Sequence, residues 1–387
     1  VTTYSAVRTT GIYCRPGCGA RPRAENVTTF ELAAAAEAAG FRACLRCRPY
    51  RVAGEVSPTS PELVCRAVRL VLDGALDDAT EEQLGHRIGV SARHLRRLFH
   101  EHLGVTPTQL ALSRRAHFAR RLLDDSDLSI AQIAFASGFG SIRHFNRAMR
   151  EVFRSSPKEL RDRRRRHDRL LTDGGLGLRI PYEQPYDFGA ALSFLAARVI
   201  PGVDSVEDGT YRRTIMLDGG PGVLELSVGG PDHLVLVAHL PYWEGLIHVV
   251  SRAAQVAGIG LEQPGAWGSF EAGVQLLAVQ SSAQSGLGGL VRSLGTFVPG
   301  LTHGLAYAFP SAEVVASADV EALGLPATVR ELAVRVHAGE VRLDGAASLD
   351  ELISSLLSIP DVEPTTAHAL ATRLGYQAAV PIGLSIT

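Results

Sequence analysis

Four of the five cysteines fall between Cys14 and Cys47. Their spacing, Cys14-x3-Cys18 and Cys44-x2-Cys47, offers two sulfurs from each of two short turns, which matches one tetrahedral zinc ion with four thiolate ligands. Such a centre supports two kinds of chemistry. It can be a closed structural knuckle, or one metal-bound thiolate can be a nucleophile, because binding deprotonates a thiol that is otherwise largely protonated at neutral pH. Spacing alone leaves both open. The odd cysteine total argues against a disulfide framework. The stretch from Val1 to Arg8 lacks the basic, apolar and small-residue sections of a signal peptide, so a cytoplasmic location is expected. Cys65 stands between apolar residues and is read as packing.

The charge distribution says what this chemistry would be done on. The chain of 387 residues has a net charge of -1. Residues 1–170 carry 29 Lys and Arg against 18 Asp and Glu, whereas the remainder carries 10 against 22. Nearly all the cations are arginine, whose planar fork suits phosphate. A basic front half attracts polyanions and an acidic back half repels them. Arg15, Arg42, Arg46 and Arg48 sit beside the cysteines, where they could hold flanking phosphates or simply be solvated. No apolar run is long enough to span a bilayer, so no membrane partner is expected.

The elements that must position these residues follow from periodicity and punctuation. Leu32–Ala39 is a high-propensity helix, and Ala53–Pro61 is a linker by its Gly, Pro and Ser content. From Glu62 to about Arg166 the spacing is helical. Within it lie two helix-turn-helix patterns, Thr80–Leu103 and Ser129–Phe153. In the first, Gly89 makes the turn, Ser91 caps the next helix, and Arg93, His94, Arg96 and Arg97 project from it. In the second, Ser129 caps, Gly138 and Gly140 turn, and Ser141 starts a helix bearing Arg143, His144, Asn146 and Arg147. The basic run Arg161–Arg169 closes this region, and Thr172–Gly177 reads as a hinge. Residues 178–240 alternate as strands do; from Pro241 the chain is helical again, with loops at Pro299–His303 and Leu323–Pro326.

The segments Ala6–Cys18 (AVRTTGIYCRPGC) and Gly40–Pro49 (GFRACLRCRP) closely resemble the methyl-acceptor domain of Ada-type DNA repair proteins. The resemblance implies that Cys14, Cys18, Cys44 and Cys47 ligate zinc. It also implies that Cys14 accepts the methyl group of a DNA methylphosphotriester, once per molecule, tightening DNA binding. Family members have a further helix and strand ahead of the position of Ala6, so this domain is expected to be short at its N-terminal side. The double helix-turn-helix, with its ending Phe153–Leu160 (FRSSPKEL), resembles the AraC-type DNA-binding domain. That implies that the second helix of each unit enters a major groove, with promoter DNA and RNA polymerase as partners.

Leu178–Tyr186, Phe194–Val203, Gly209–Thr214 (GTYRRT), Pro264–Phe270 (PGAWGSF), Phe309–Pro310 and Leu357–Arg373 resemble 3-methyladenine DNA glycosylases of the AlkA type. In that family a hairpin reads Gly-hydrophobe-Gly, then Pro and Trp, and a catalytic Asp follows a Phe-Pro pair. Here Asp361 and Glu363 replace both glycines, Thr365 stands at the Trp position and Leu384 at the Asp position. No Asp or Glu follows Glu363, and a glycosylase needs a carboxylate. Val279–Gln284 (VQSSAQ) lacks the family's paired glutamines. The glycosylase chemistry is therefore expected to be lost, with Trp243 and Trp267 as core residues.

The expected architecture is multidomain α+β: a small zinc-binding α/β domain over 1–53, an all-α double helix-turn-helix domain over 62–166, a small antiparallel sheet domain over 177–260, and an incomplete, truncated helix-hairpin-helix domain over 261–387. The expected function is an alkylation-damage response protein: a methyl acceptor that activates transcription of repair genes, cytoplasmic and nucleoid-associated. A working alkylbase glycosylase and a regulator with a purely structural zinc site are the alternatives.

Overall fold

A computed structural model describes residues 3–51, 61–165, 168–170, 172, 174–261 and 263–376. Most of the expected linker Ala53–Pro61 lies outside the described residues, as does Leu384. The chain forms two compact units. One comprises residues 1–185, 230–234 and 242–251, and the other the rest.

The first unit opens with strands β1 (Tyr4–Val7), β2 (Ile12–Cys14), β3 (Val27–Phe30) and β4 (Arg42–Ala43), in the order β3-β1-β2-β4. β1 is antiparallel to both neighbours, and β2 runs parallel to β4. The expected helix is α1 (Ala33–Ala38), between β3 and β4.

Helices α2 (Glu62–Leu72), α3 (Glu81–Arg87), α4 (Ala92–Leu103), α5 (Pro107–Asp125), α6 (Ile130–Ala136), α7 (Ile142–Phe153) and α8 (Pro157–Asp162) follow. The side chains expected as caps are caps: Ser91 accepts from the His94 amide, Ser129 from Gln132 and Ser141 from His144. Each such cap satisfies an amide with no partner inside its helix and is worth about 1 kcal/mol. Gly89 turns the chain between α3 and α4 at φ 81°, a conformation glycine adopts without steric cost. Leu95 and Phe99 of α4, Leu122 and Leu123 of α5, and Phe145 and Met149 of α7 are fully buried, and α5 packs against α4, α6 and α7. Strand β5 (Leu176–Pro181) completes the main run of this unit.

The second unit departs from the strand-like reading of residues 178–240. Helix α9 (Phe188–Ala196) interrupts it, capped by Asp187, which accepts from the Ala190 amide. The Asp187 cap and the apolar run behind it are helix signals that alternation elsewhere obscured. Strands β6 (Asp204–Glu207), β7 (Thr210–Leu217), β8 (Gly220–Gly230) and β9 (His233–His239) then form a sheet in sequence order, with β6–β7 and β7–β8 antiparallel.

Helix α10 (Leu246–Val256) begins in the first unit and ends in the second. The remainder holds α11 (Ser269–Gln280), α12 (Gly286–Leu294), the short antiparallel pair β10 (Thr296–Phe297) and β11 (Tyr307–Ala308), α13 (Ala312–Ala316), α14 (Ala327–His337), α15 (Leu349–Leu357) and α16 (Pro364–Arg373). Val274, Leu290, Val329, Leu332, Leu352 and Ala371 are among the residues of its buried core. Among the described residues no helix is long and apolar enough to cross a membrane.

Candidate metal centre and nucleic-acid interface

The four sulfurs meet because of strand pairing. Cys14 ends β2, and Cys44 follows β4, which runs beside β2; the Cys44 amide donates to the Tyr13 carbonyl at 3.0 Å. Each remaining cysteine is brought back by a turn. The Cys18 amide donates to the Arg15 carbonyl at 3.3 Å, and the Arg48 amide to the Cys44 carbonyl at 3.0 Å. The four sulfur atoms lie within 4.8 Å of one another. A tetrahedral zinc with Zn–S bonds of about 2.3 Å sets sulfurs about 3.8 Å apart, so the cluster needs only slight contraction around one ion. Cys65 is not part of it.

The donor set also fits the metal chemically. Cys14 is held well above the ordinary thiol range, first by its hydrogen bond to Cys47 and then by burial. The same hydrogen bond pushes Cys47 down. Four sulfurs this close cannot all ionise unless a cation sits among them, which is what zinc supplies. Cys14 is the most buried of the four, 7% exposed.

The arginines beside the cluster divide. Arg46 is exposed, and Arg15 and Arg42 are half-buried. Arg48, expected on the DNA side, is turned inward: it is 7% exposed and pairs with Asp168 at 2.7 Å and Asp124 at 3.4 Å. It occupies a left-handed backbone position at φ 53°. A buried guanidinium answered by two carboxylates is an internal anchor, not a phosphate contact.

The second helix of each helix-turn-helix is α4 or α7. Arg93, Arg97, Arg143 and Arg147 are exposed on them, and His94, His144 and Asn146 are half-buried. Arg97 lies 3.0 Å from the His94 ring nitrogen, and Arg147 is loosely paired with Glu151 at 3.8 Å. His144 packs edge-on against Phe139, and its pKa is lowered by burial and then by Arg147, so near neutral pH it meets a ligand as an uncharged group. Arg96 is not free: its guanidinium pairs with Glu81 and, at 3.1 Å, with Glu82. A cleft of about 750 Å³ runs between the two halves, lined by Glu81, Glu82, Arg96, Ser141, His144 and Arg147 among others. Glu81 and Glu82 went unnoticed in the sequence because the first turn of any helix favours acidic residues.

In the second unit, the hairpin between α15 and α16 carries exposed Asp361 and Glu363, and Thr365 is exposed in the first turn of α16. Asp361 takes the left-handed conformation at φ 62° where a glycine would be at ease. Gln280 clamps this loop, donating to the Asp361 carbonyl at 2.6 Å and accepting from the Glu363 amide at 3.2 Å. The buried carboxylates of this unit are already engaged. Glu271 forms a two-pronged pair with Arg213 at 2.9 and 3.2 Å, and Asp204 accepts from the Ile200 amide and the Tyr211 hydroxyl. Trp267 is half-buried, with the Arg213 and Arg252 guanidinium carbons 5.5 and 5.6 Å from its ring centre. Trp243, in the first unit, is half-buried as well.

A four-sulfur metal cluster in one unit with two helix-turn-helix pairs defines a metal-binding, DNA-binding regulator. The sequence matches the metal binding domain of Ada over residues 2–50, a helix-turn-helix domain over 84–163 and the AlkA N-terminal domain over 177–259. It is 33% identical, over 97% of its length and 83% of the relative's, to the probable bifunctional transcriptional activator/DNA repair enzyme AlkA of Mycobacterium tuberculosis. It is 34% identical, over 40% of its length and 43% of the relative's, to the bifunctional transcriptional activator/DNA repair enzyme Ada of Escherichia coli. A solved 3-methyladenine DNA-glycosylase from Archaeoglobus fulgidus matches 51% of this chain and 79% of its own at 20% identity, with a TM-score of 0.44. The chain belongs to the family of bifunctional transcriptional activator/DNA repair proteins that combine Ada and AlkA regions.

Proposed function

We propose that the chain repairs DNA methylphosphotriesters by moving the methyl group onto Cys14, once per molecule, and that the methylated form activates transcription. The observation carrying this reading is the convergence of four cysteine sulfurs within 4.8 Å, in the same unit as two arginine-bearing helix-turn-helix pairs. A zinc ion held by Cys14, Cys18, Cys44 and Cys47 would keep the sulfurs deprotonated and electron-rich at neutral pH. The Cys14 sulfur attacks the methyl carbon in line. The S–C bond forms as the C–O bond breaks, and the phosphodiester leaves with the electron pair as an ordinary backbone anion. The product thioether has no route back to a thiolate, so the transfer is stoichiometric. The small exposed edge of Cys14 suits a one-carbon group.

Arg15, Arg42 and Arg46 hold the flanking phosphates, whereas Arg48 belongs to the interior. Loss of one negative charge at Cys14 then lowers repulsion of the DNA backbone and raises affinity. Arg93, Arg97, Arg143 and Arg147, with His94, His144 and Asn146, read the promoter, and RNA polymerase is the downstream partner in the nucleoid. The working division is a zinc module over 1–53, a DNA-binding module over 62–166, and glycosylase-like modules over 177–260 and 261–387.

The glycosylase-like part binds or packs without cleaving. Asp361 and Glu363 present carboxylates where a phosphate would approach, and Asp204 and Glu271 are consumed by internal partners. The test is mass spectrometry of the zinc-loaded chain after incubation with methylphosphotriester DNA. One added methylene on the peptide bearing Cys14 is expected, and an unmodified peptide would refute the repair role.

A further inference from the structure

The residues next to two of the sulfur ligands are fastened to one helix of the DNA-binding region. Tyr13, which precedes Cys14, is fully buried. Its hydroxyl donates to Glu37 of α1 at 2.6 Å and lies 3.1 Å from the His117 ring nitrogen of α5; that same nitrogen is 2.6 Å from Glu37. Arg48, which follows Cys47, pairs with Asp124 in the last turn of α5 and with Asp168. Asp124 is wholly buried and also takes Arg120 at 2.6 Å and the Tyr50 hydroxyl at 2.9 Å.

His117 and Asp124 are seven residues apart, two helical turns, so the two anchors grip one face of α5 about 10 Å apart. From α5 the contacts lead outward. It packs against both α4 and α7. The Phe153 ring at the end of α7 is 5.9 Å from both Tyr50 and His117, and β4, just ahead of Cys44, touches α7 directly.

These anchors are stiff. Arg48 is a non-glycine residue at φ 53°, a conformation costing on the order of 1 kcal/mol or more that persists only where surroundings enforce it. The anchoring set is charge-balanced, Arg48 and Arg120 against Asp124 and Asp168. A shift at a sulfur ligand therefore cannot be absorbed by a loose side chain. It must be taken up by the helix.

We propose that α5 transmits the chemical state of the sulfur cluster to the two DNA-reading helices, with Tyr13, Glu37 and Arg48 as positioning residues of this coupling. The proposal rests on the reading of Cys14 as the methyl acceptor. It adds a mechanical path to the loss of negative charge: when Cys14 changes its bonding, Tyr13 moves with it, and the Glu37–His117 clamp passes the displacement to α5. An electrostatic effect alone would need none of these contacts.

The test uses the full zinc-loaded chain and two variants, Glu37→Gln, which keeps the shape of the side chain, and Arg48→Met. For each, methyl uptake on Cys14 is followed by mass, and operator affinity is measured before and after methylation. Uptake is expected to be unchanged while the ratio of the two affinities falls about fivefold or more, the size of an ordinary allosteric coupling. A purely structural role would lower both affinities and leave their ratio intact, which would overturn the proposal. Should Arg48→Met fail to fold, Glu37→Gln decides alone, together with hydrogen exchange of α5 amides in the unaltered chain; α5 protection that does not respond to methylation counts against the coupling. If the unaltered chain takes up no methyl group, the acceptor reading fails instead, and the two failures are told apart by the same mass measurement.

Discussion

The guanidinium of Arg96, half exposed on α4, is held from beneath by Glu81, which is 6% exposed at the start of α3. Glu81 does more than pair. One of its oxygens accepts from both the amide and the hydroxyl of Thr108, 3.0 and 2.6 Å away, in the first turn of α5. One carboxylate thus ties α3, α4 and α5 together and fixes the direction of a side chain that projects beside the cleft between α4 and α7.

This asymmetry predicts unequal costs. Glu81→Ala removes the carboxylate that accepts both Thr108 hydrogen bonds as well as the Arg96 pair, and a hydrogen bond to a charged group contributes about 1.5–3 kcal/mol. Arg96→Ala removes a pair whose cation is 49% exposed, and solvent screening reduces such a pair to about 1 kcal/mol or less. Denaturant midpoints should therefore fall clearly for Glu81→Ala and barely for Arg96→Ala. Equal losses would show that Glu81 serves only the ion pair.

Metal content separates the cysteines. Native mass spectrometry should find one zinc per chain, lost in Cys18→Ser or Cys44→Ser and retained in Cys65→Ser, because Cys65 is outside the sulfur cluster. Binding free energy at such a centre is folding free energy. A strong chelator should thus lower the melting temperature of the unaltered chain and leave that of the Cys18→Ser variant unmoved. Zinc that survives in Cys18→Ser would mean the four-sulfur cluster is not its site.

Much of this was legible in the sequence. Close cysteine pairs, caps such as Ser91 and Ser129, and the apolar spacing of α4 and α7 are local signals, and local signals survive into the fold. What escaped was set by distance along the chain. Arg48 reads as one more basic residue beside the cysteines, and only the folding of α5 against the sulfur module brings Asp124 to it. His117, Glu37 and Tyr13 likewise carry no shared pattern, being 80 and 24 residues apart in their hydrogen-bonded pairs. Helix α9 was missed for a different reason, because a short apolar helix embedded among strands offers few turns in which period 3.6 can show itself.

The glycosylase-like unit should release no 3-methyladenine from alkylated duplex DNA above the uncatalysed background. Its hairpin exposes Asp361 and Glu363, and Gln280 locks the loop that bears them. Like charges there oppose a phosphate. Base release measured by chromatography at a rate proportional to enzyme concentration would contradict this.

The same unit should respond to pH through Asp204. Burial raises its carboxyl from the ordinary range to about 6, against the lowering effect of Arg213 and the hydrogen bonds from the Ile200 amide and Tyr211. The unfolded chain binds that proton less tightly, with a pKa near the ordinary aspartate value of 3.8. The folded state therefore holds the proton over a window in which the unfolded state has released it. By linkage, the stability this group contributes is fully present below about pH 4 and is lost as pH rises through about 6. Asp204→Asn removes the titration. Unfolding followed by tryptophan fluorescence, with Trp267 close to Arg213 as a local reporter, should show the unaltered chain losing stability relative to the variant between pH 4 and 6. Every other ionisable group is common to both proteins and cancels in the difference. A difference that stays constant with pH, or grows in the opposite direction, would mean that Arg213 holds Asp204 ionised throughout and that burial does not dominate.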